Sequence, residues 1–206
     1  MKESNTKNEI LEVAVKLFEK YGYDKTSIDD IAKQAHKAKG SIYYNFSGKL
    51  DIYKAIVDRE FMAIKAGLVE VCECFAQPGE ESKQVIRYLL TRMELFDNAT
   101  MYKQTLATQY LDSNSPLIKT VREIRIGFDQ WEWEYFVRIC NEWTTAQMFN
   151  TAICPEAFAD MLQMVLKSLE LHFFAKNDYV NARQTYENLI IIIINTMSGG
   201  KVTMNN

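Results

Sequence analysis

Glycine and proline are scarce in this chain, eight and three among 206 residues. That is too few for the many tight turns of a β-sandwich or barrel. Histidine occurs only twice, at His36 and His172, in unrelated contexts and with no nucleophile elbow or metalloprotease motif nearby. No catalytic residue is therefore expected, and the chain does not read as an enzyme. The four cysteines, Cys72, Cys74, Cys140 and Cys154, have no zinc-ligand spacing. Cys72 and Cys74 would face different sides of a helix, and all four read as small buried hydrophobes in a reducing compartment. Neither a metal nor a cofactor is implied. The longest unbroken apolar run, Leu189 to Ile194, is far too short to span a bilayer. The opening MKESNTKNEI has no apolar stretch for a secretory signal. A cytoplasmic chain with no membrane partner is the expectation. Near the end, MSGGKVT lacks the leading glycine and the Ser/Thr after Lys201 that a phosphate loop needs.

Acidic residues are also missing from one place. From Lys33 to Lys49 there are four lysines and no Asp or Glu, although the whole chain carries a formal charge of −3. Residues 1–60 hold eleven Lys/Arg against ten Asp/Glu, and the remainder thirteen against seventeen. The two parts are thus mildly biased towards different surroundings.

What is present is helical periodicity almost throughout. Ile10, Val13, Ala14, Leu17 and Phe18 step by three and four, which predicts a first helix from about residue 5 to 21, with Gly22 as its C-terminal cap. Thr26-Ser27-Ile28-Asp29 reads as a capping box in its Asp variant. It opens a short helix carrying Ile28, Ile31, Ala32 and Ala35. His36-Lys37-Ala38 forms a tight turn, a second short helix covers about 40–45, and a long helix runs from about 48 to 74. Breaks follow at Pro78-Gly79, Asp97-Asn98, Ser115-Pro116, Cys154-Pro155 and Asn177-Asp178. Ser115 suits a helix cap and Pro116 a first turn. The expected fold class is all-α, with nine to ten helices.

Two short helices joined by a three-residue turn, with a helix before them, make a helix-turn-helix. The residues Ile10, Ala14, Leu17-Phe18, Gly22-Tyr23, Thr26-Ser27, Ile31-Ala32, Ala35, Lys39-Gly40-Ser41-Ile42-Tyr43-Tyr44-Asn45-Phe46 and Lys49 resemble the N-terminal pattern of the tetracycline-repressor (TetR) family of bacterial transcription regulators. The resemblance covers about residues 5–53. It implies a helix-turn-helix DNA-binding domain over 1–50 and a helical ligand-binding and dimerisation domain over 51–206. It further implies a ligand-responsive regulator, most readily a repressor, that binds a near-palindromic operator as a homodimer and is released by a small apolar or amphipathic effector. An activator of the same fold, or a helical binding module with a decayed DNA motif, is the alternative. By position, Lys39, Gly40, Ser41 and Tyr43 are implied to face bases, and Ser27, Tyr44, Asn45 and Lys49 the phosphate backbone. Lys suits guanine O6/N7 or a phosphate, glycine allows close approach, and Tyr and Asn commonly donate to phosphate. Ile42 and Phe46, with Ile31 and Leu17, read as the core of the motif. The chain departs from the family at the turn, where Gly-Val-Ser is usual. His36 is then expected to take a positive φ, Lys37 to cover the turn with its stem and add a phosphate contact, and Ala38 to leave the next helix without a side-chain cap.

In the remaining three-quarters, FDQWEWEYFVRICNEW is aromatic on more than one face. Phe128, Trp131, Tyr135 and Ile139 form one stripe, and Trp133, Phe136, Val137 and Cys140 another. Phe128, Trp131 and Tyr135, with Met93, Phe96, Tyr110, Met148 and Met164, are candidate liners of an effector pocket. The helix near 157–174 carries Phe158, Met161, Leu162, Val165 and Leu169. The last helix carries Tyr186, Leu189, Ile190, Ile193, Ile194 and Met197, with Ile191 and Ile192 at its sides. A helix apolar around most of its girth needs cover on several faces, and a second copy would supply it in a symmetric four-helix bundle.

Overall fold

In the computed structural model the described residues are 2–73, 81–108, 114–145 and 154–176, together with 184–185, 187–188 and 191–192. Eight helices lie among them and no strand: α1 (Lys2–Tyr21), α2 (Ile28–Gln34), α3 (Lys39–Asn45), α4 (Lys49–Glu73), α5 (Glu81–Asp97), α6 (Thr100–Thr108), α7 (Pro116–Thr145) and α8 (Pro155–Lys176). The all-α class holds, and the breaks read at 97–98, 115–116 and 154–155 are helix boundaries.

The local signals act as their chemistry requires. Gly22 ends α1 at φ 81°, and its N–H reaches the Phe18 carbonyl at 2.8 Å. A side chain there would be strained, so glycine is the fitting residue. The capping box of α2 lies one residue beyond its expected place. Ser27 is the N-cap, its Oγ accepting from the Asp30 N–H at 3.2 Å, while Asp30 Oδ2 accepts from the Ser27 N–H at 3.0 Å. The Thr26 hydroxyl is turned inward and donates to the Gly22 carbonyl at 2.8 Å. Ser115 accepts from the Ile118 N–H at 3.2 Å, as a cap before Pro116 should.

Packing divides the chain into two compact units, Met1–Ala63 with Ala99–Ile124, and Ile64–Asn98 with Arg125–Asn206. Helices α4 and α7 contribute to both. The division by role at residue 50 is a different one, since the first unit also takes in α6. In that unit Ile10, Ala14, Phe18, Ile31, Ile42, Phe46 and Ile52 are buried together. The rings of Phe18, Tyr23 and Tyr53 close around one another at 5.3–5.8 Å. Leu17 is half-buried. Helix α6 is fastened by polar contacts from α4: Glu60 accepts the N–H groups of Met101 and Tyr102, each at 2.9 Å, and the Tyr53 hydroxyl donates to the Met101 carbonyl at 2.7 Å. These N–H groups belong to the first turn of α6 and would otherwise lack a partner. Burial pushes the Glu60 carboxyl above its ordinary value against the pull of those two bonds.

The second unit is built from the rest of α4 and α7 with α5 and α8. Its core includes Leu68, Leu89, Met93, Phe96, Phe128, Tyr135, Phe136, Phe158 and Leu162. At Gly67, α4 comes so close to α5 that an added Cβ would sit 2.9 Å from Leu95 Cδ1.

Candidate nucleic-acid interface

The turn between α2 and α3 shows how this sequence manages without the usual residues. His36 holds φ 53°, the left-handed conformation expected of it. Ala38 makes no side-chain cap, so α3 starts on backbone bonds alone, among them Ser41 N–H to the Ala38 carbonyl at 2.9 Å. Ile42 and Phe46 are buried and anchor α3 from beneath. Their spacing turns Lys39, Gly40, Tyr43 and Tyr44 outward; Tyr43 is 51% and Tyr44 76% exposed. Gly40 is exposed as well, and a Cβ placed there would meet nothing within 4 Å. Its value for contact is therefore to an approaching partner and not to the fold. Ser41 is half-buried.

The lysines are not alone in space, although they are in sequence. Lys37 Nζ pairs with Glu9 of α1 at 2.7 Å. Lys39 Nζ lies 2.8 Å from Asp29 Oδ1 and 3.0 Å from Oδ2, and the bond to Asp29 raises the Lys39 pKa. Lys49 Nζ donates to the carbonyls of Tyr23 at 2.6 Å and Asp24 at 3.4 Å, and it stands 4.3 Å from the centre of the Tyr23 ring. That lysine braces the α1–α2 connection. Asn45 Nδ2 donates to the Ser41 carbonyl at 2.8 Å within its own helix. Ser27 is held in the capping box, where its bonds to Asp30 lower that carboxyl's pKa. All nine residues singled out as DNA contacts, Ser27, Lys37, Lys39, Gly40, Ser41, Tyr43, Tyr44, Asn45 and Lys49, thus lie in one small region of the first unit. The groups turned to solvent are centred on the start of α3.

The second unit holds a feature the pattern analysis missed. Arg92 is 1% exposed, and its guanidinium bonds Glu132 at 2.5 and 3.1 Å and Glu170 at 2.5 Å. Arg125 bonds Glu170 at 2.6 and 3.2 Å and Asp129 at 2.5 Å, and Lys167 reaches Asp129 at 2.8 Å. The Tyr88 hydroxyl donates to Glu132 at 2.8 Å. Burial pushes the Glu170 carboxyl up, but Arg125 and Arg92 outweigh it and hold it below its ordinary value. Burial and then the Glu132 charge push Tyr88 well up. The signal was in the sequence: Arg92 stands three residues after Leu89 and four before Phe96, and Glu132 midway between Phe128 and Phe136. A charge on an apolar helix face calls for a buried partner.

The aromatic residues proposed as pocket liners frame this network. Phe96, Phe128, Trp131 and Tyr135 follow one another at ring separations of 5.4, 5.5 and 6.2 Å. The Arg92 and Arg125 guanidinium groups lie 4.5 and 5.1 Å from the Phe96 ring. Met93 is buried beside them in the same unit, and Trp131 is half-buried. Met164 is not part of this group; it is 67% exposed on α8. Tyr110 and Met148 lie outside the described residues. Tyr135 keeps its hydroxyl buried, and burial first, then the neighbouring Cys72 thiol, drives its pKa far up. On α8, Phe158 and Leu162 turn into this chain's own core, Val165 and Leu169 are half-buried, and Met161 is 52% exposed. The other proposed interface residues, Tyr186, Leu189, Ile190, Ile193, Ile194 and Met197, lie outside the described residues. Among the described residues no helix is long and apolar enough to cross a membrane.

Residues 10–56 match the model of the bacterial regulatory proteins of the tetR family. IcaR of Staphylococcus epidermidis, named as a negative transcriptional regulator of the biofilm operon icaADBC, is 40% identical over 55 residues, 27% of this chain and 30% of that protein. The protein of the same name from Staphylococcus aureus strain Newman is 45% identical over 51 residues, 25% of this chain and 27% of its own length. The chain thus spans less than a third of these relatives' length. The solved structure of a transcriptional regulator of the TetR/AcrR family from Thermobifida fusca superposes with a TM-score of 0.69 over 93% of this chain and 97% of its own, at 22% identity. The head built on α1–α3 is similar to that of the bacterial regulatory proteins of the tetR family, and the chain has the fold of the solved TetR/AcrR-family regulator.

Proposed function

We propose that this chain is a cytoplasmic transcriptional repressor that binds a near-palindromic duplex operator as a homodimer and leaves it when a small apolar or amphipathic effector binds. The observation that carries the DNA-binding part is the outward face of α3, where Lys39, Gly40 and Tyr43 stand exposed on a base of buried Ile42 and Phe46. Lys39, Gly40, Ser41 and Tyr43 would meet base edges. Lys37, Tyr44, Asn45 and Ser27 would meet the sugar-phosphate backbone, and Lys49 would do so from the carbonyls it braces. The staphylococcal relatives are named as negative transcriptional regulators, which supports repression.

A dimer would set two copies of α3 into successive major grooves, about 34–36 Å apart. The exposed Met161 and Met164 of α8 support that helix as part of the subunit contact. Phe96, Phe128, Trp131 and Tyr135 support an apolar effector. Helix α4 belongs to both compact units and is the natural lever between them. An effector favouring a dimer with misplaced heads needs only about 1–3 kcal/mol of coupling to shift occupancy several-fold or more.

Selection of bound fragments from a random duplex pool, repeated at several salt concentrations, tests this. The expected result is an inverted-repeat consensus whose affinity falls steeply with salt. Binding that selects no sequence, or that ignores salt, overturns it.

A further inference from the structure

We propose that Asp29 and Lys39 act as one unit that reads a single G·C base pair in each half of the DNA site, Lys39 addressing the guanine and Asp29 the cytosine. This rests on the DNA-binding reading above.

The two side chains come from different helices, ten residues apart, and meet with Lys39 Nζ 2.8 and 3.0 Å from the two Asp29 oxygens. Both are exposed, at the face where α3 turns outward. Helix α2 has no use for Asp29 in its cap, because Ser27 and Asp30 complete the capping box between them. A carboxylate in that position opposes a phosphate backbone, since only cations gain by displacing its counterions. Its presence is chemically sensible against a group that offers a donor beside an acceptor.

A G·C pair offers that arrangement in the major groove: O6 and N7 of guanine accept, and the cytosine N4 amine donates. O6 and N4 are themselves hydrogen-bonded, at about 2.9 Å. That matches the Lys39–Asp29 separation, so both groups can meet their atoms without parting. An ammonium has three donors and a carboxylate room for about four bonds, which leaves capacity for the bases beyond the mutual contact. An A·T pair alternates acceptor, donor and acceptor and adds a thymine methyl. It gives the ammonium no two adjacent acceptors. Of the other lysines named as DNA contacts, Lys37 is paired to Glu9 of α1, and Lys49 is held on main-chain carbonyls.

The test is site selection with the full-length wild-type chain and with Asp29→Ala, Asp29→Asn and Lys39→Ala, followed by titration onto the consensus and its single-pair variants. The expected wild-type consensus holds a G·C pair at one fixed position per half-site, and its exchange for A·T weakens binding roughly 5- to 150-fold. Each of the three variants relaxes that same position and leaves the others as they were. Because Lys39 addresses a base, its loss shows as relaxed selectivity at that pair and not as the uniform weakening that loss of a phosphate-contacting lysine gives. The proposal is overturned if the Asp29 and Lys39 variants relax different positions, if the shared position selects A·T, or if Asp29→Ala shifts affinity for every sequence by one factor. If the wild-type chain binds no duplex in a salt-dependent way, the DNA-binding reading falls and this with it. If it selects a site that the Asp29 variants select unchanged, only the pair reading falls.

Discussion

The two compact units use ion pairs in opposite ways. In the first, Lys37 and Lys39 each meet one carboxylate at the surface, where water screens the attraction. In the second, Arg92, Glu132, Arg125 and Glu170 are shut away from water and share their bonds among several partners. Exposed pairs contribute on the order of 0–1 kcal/mol and part easily. Buried ones cost much to desolvate and are costly to break once formed. The same chemical bond therefore leaves the head's exposed lysines open to a further partner, and fixes geometry in the body, where α5, α7 and α8 are pinned to one arrangement.

The largest effect expected from this contrast is in the body. Arg92→Met removes the cation between Glu132 and Glu170, leaving Glu170 with Arg125, and should lower stability by about 3–5 kcal/mol, read by urea unfolding. A loss no greater than that of a surface pair would erase the distinction. Next comes acidity. Glu170 has its pKa depressed below the ordinary 4.5 in the folded chain. Its contribution is complete above that value and is lost as pH falls through the lower, folded value. Acid unfolding followed by near-ultraviolet circular dichroism should show the body weakening only below that range, and the weakening should be smaller in Glu170→Gln, already destabilised at neutral pH.

Ala38→Ser supplies the cap that α3 lacks and should stabilise the head by about 1 kcal/mol, measured by thermal unfolding. Tyr135→Phe removes a buried hydroxyl whose neighbour is the Cys72 thiol, a weak partner, and should change the stability of the body by no more than about 1 kcal/mol; a larger loss would mean that the hydroxyl holds a strong bond. Lys39→Ala is expected to change stability by less than about 0.5 kcal/mol, while its effect appears in the base selectivity of duplex binding. A large fall in melting temperature would show that the exposed pair holds the head together.

Much of the head was legible because its signals are local. Gly22, Ser27, His36 and Ala38 act through their own backbone or the next turn, so residue type and spacing suffice to place them. The capping box was read one residue early because Thr26 and Ser27 both suit an N-cap, and only the inward turn of Thr26 towards the Gly22 carbonyl decides between them. The body was less legible. Its aromatic stripes mark apolar helix faces, but spacing along the chain does not show that Phe96 and Phe128 lie against arginines with carboxylate partners on other helices.

By itself the sequence determined the helices, most of their ends and the outward face of α3, because hydrophobic spacing and backbone bonding reach only a turn or two along the chain. Tertiary structure alone decided which charge meets which. Asp29 finds Lys39, Glu9 finds Lys37 and Glu170 finds two arginines, because Coulomb attraction and desolvation depend on distance in space and on the water left between the groups.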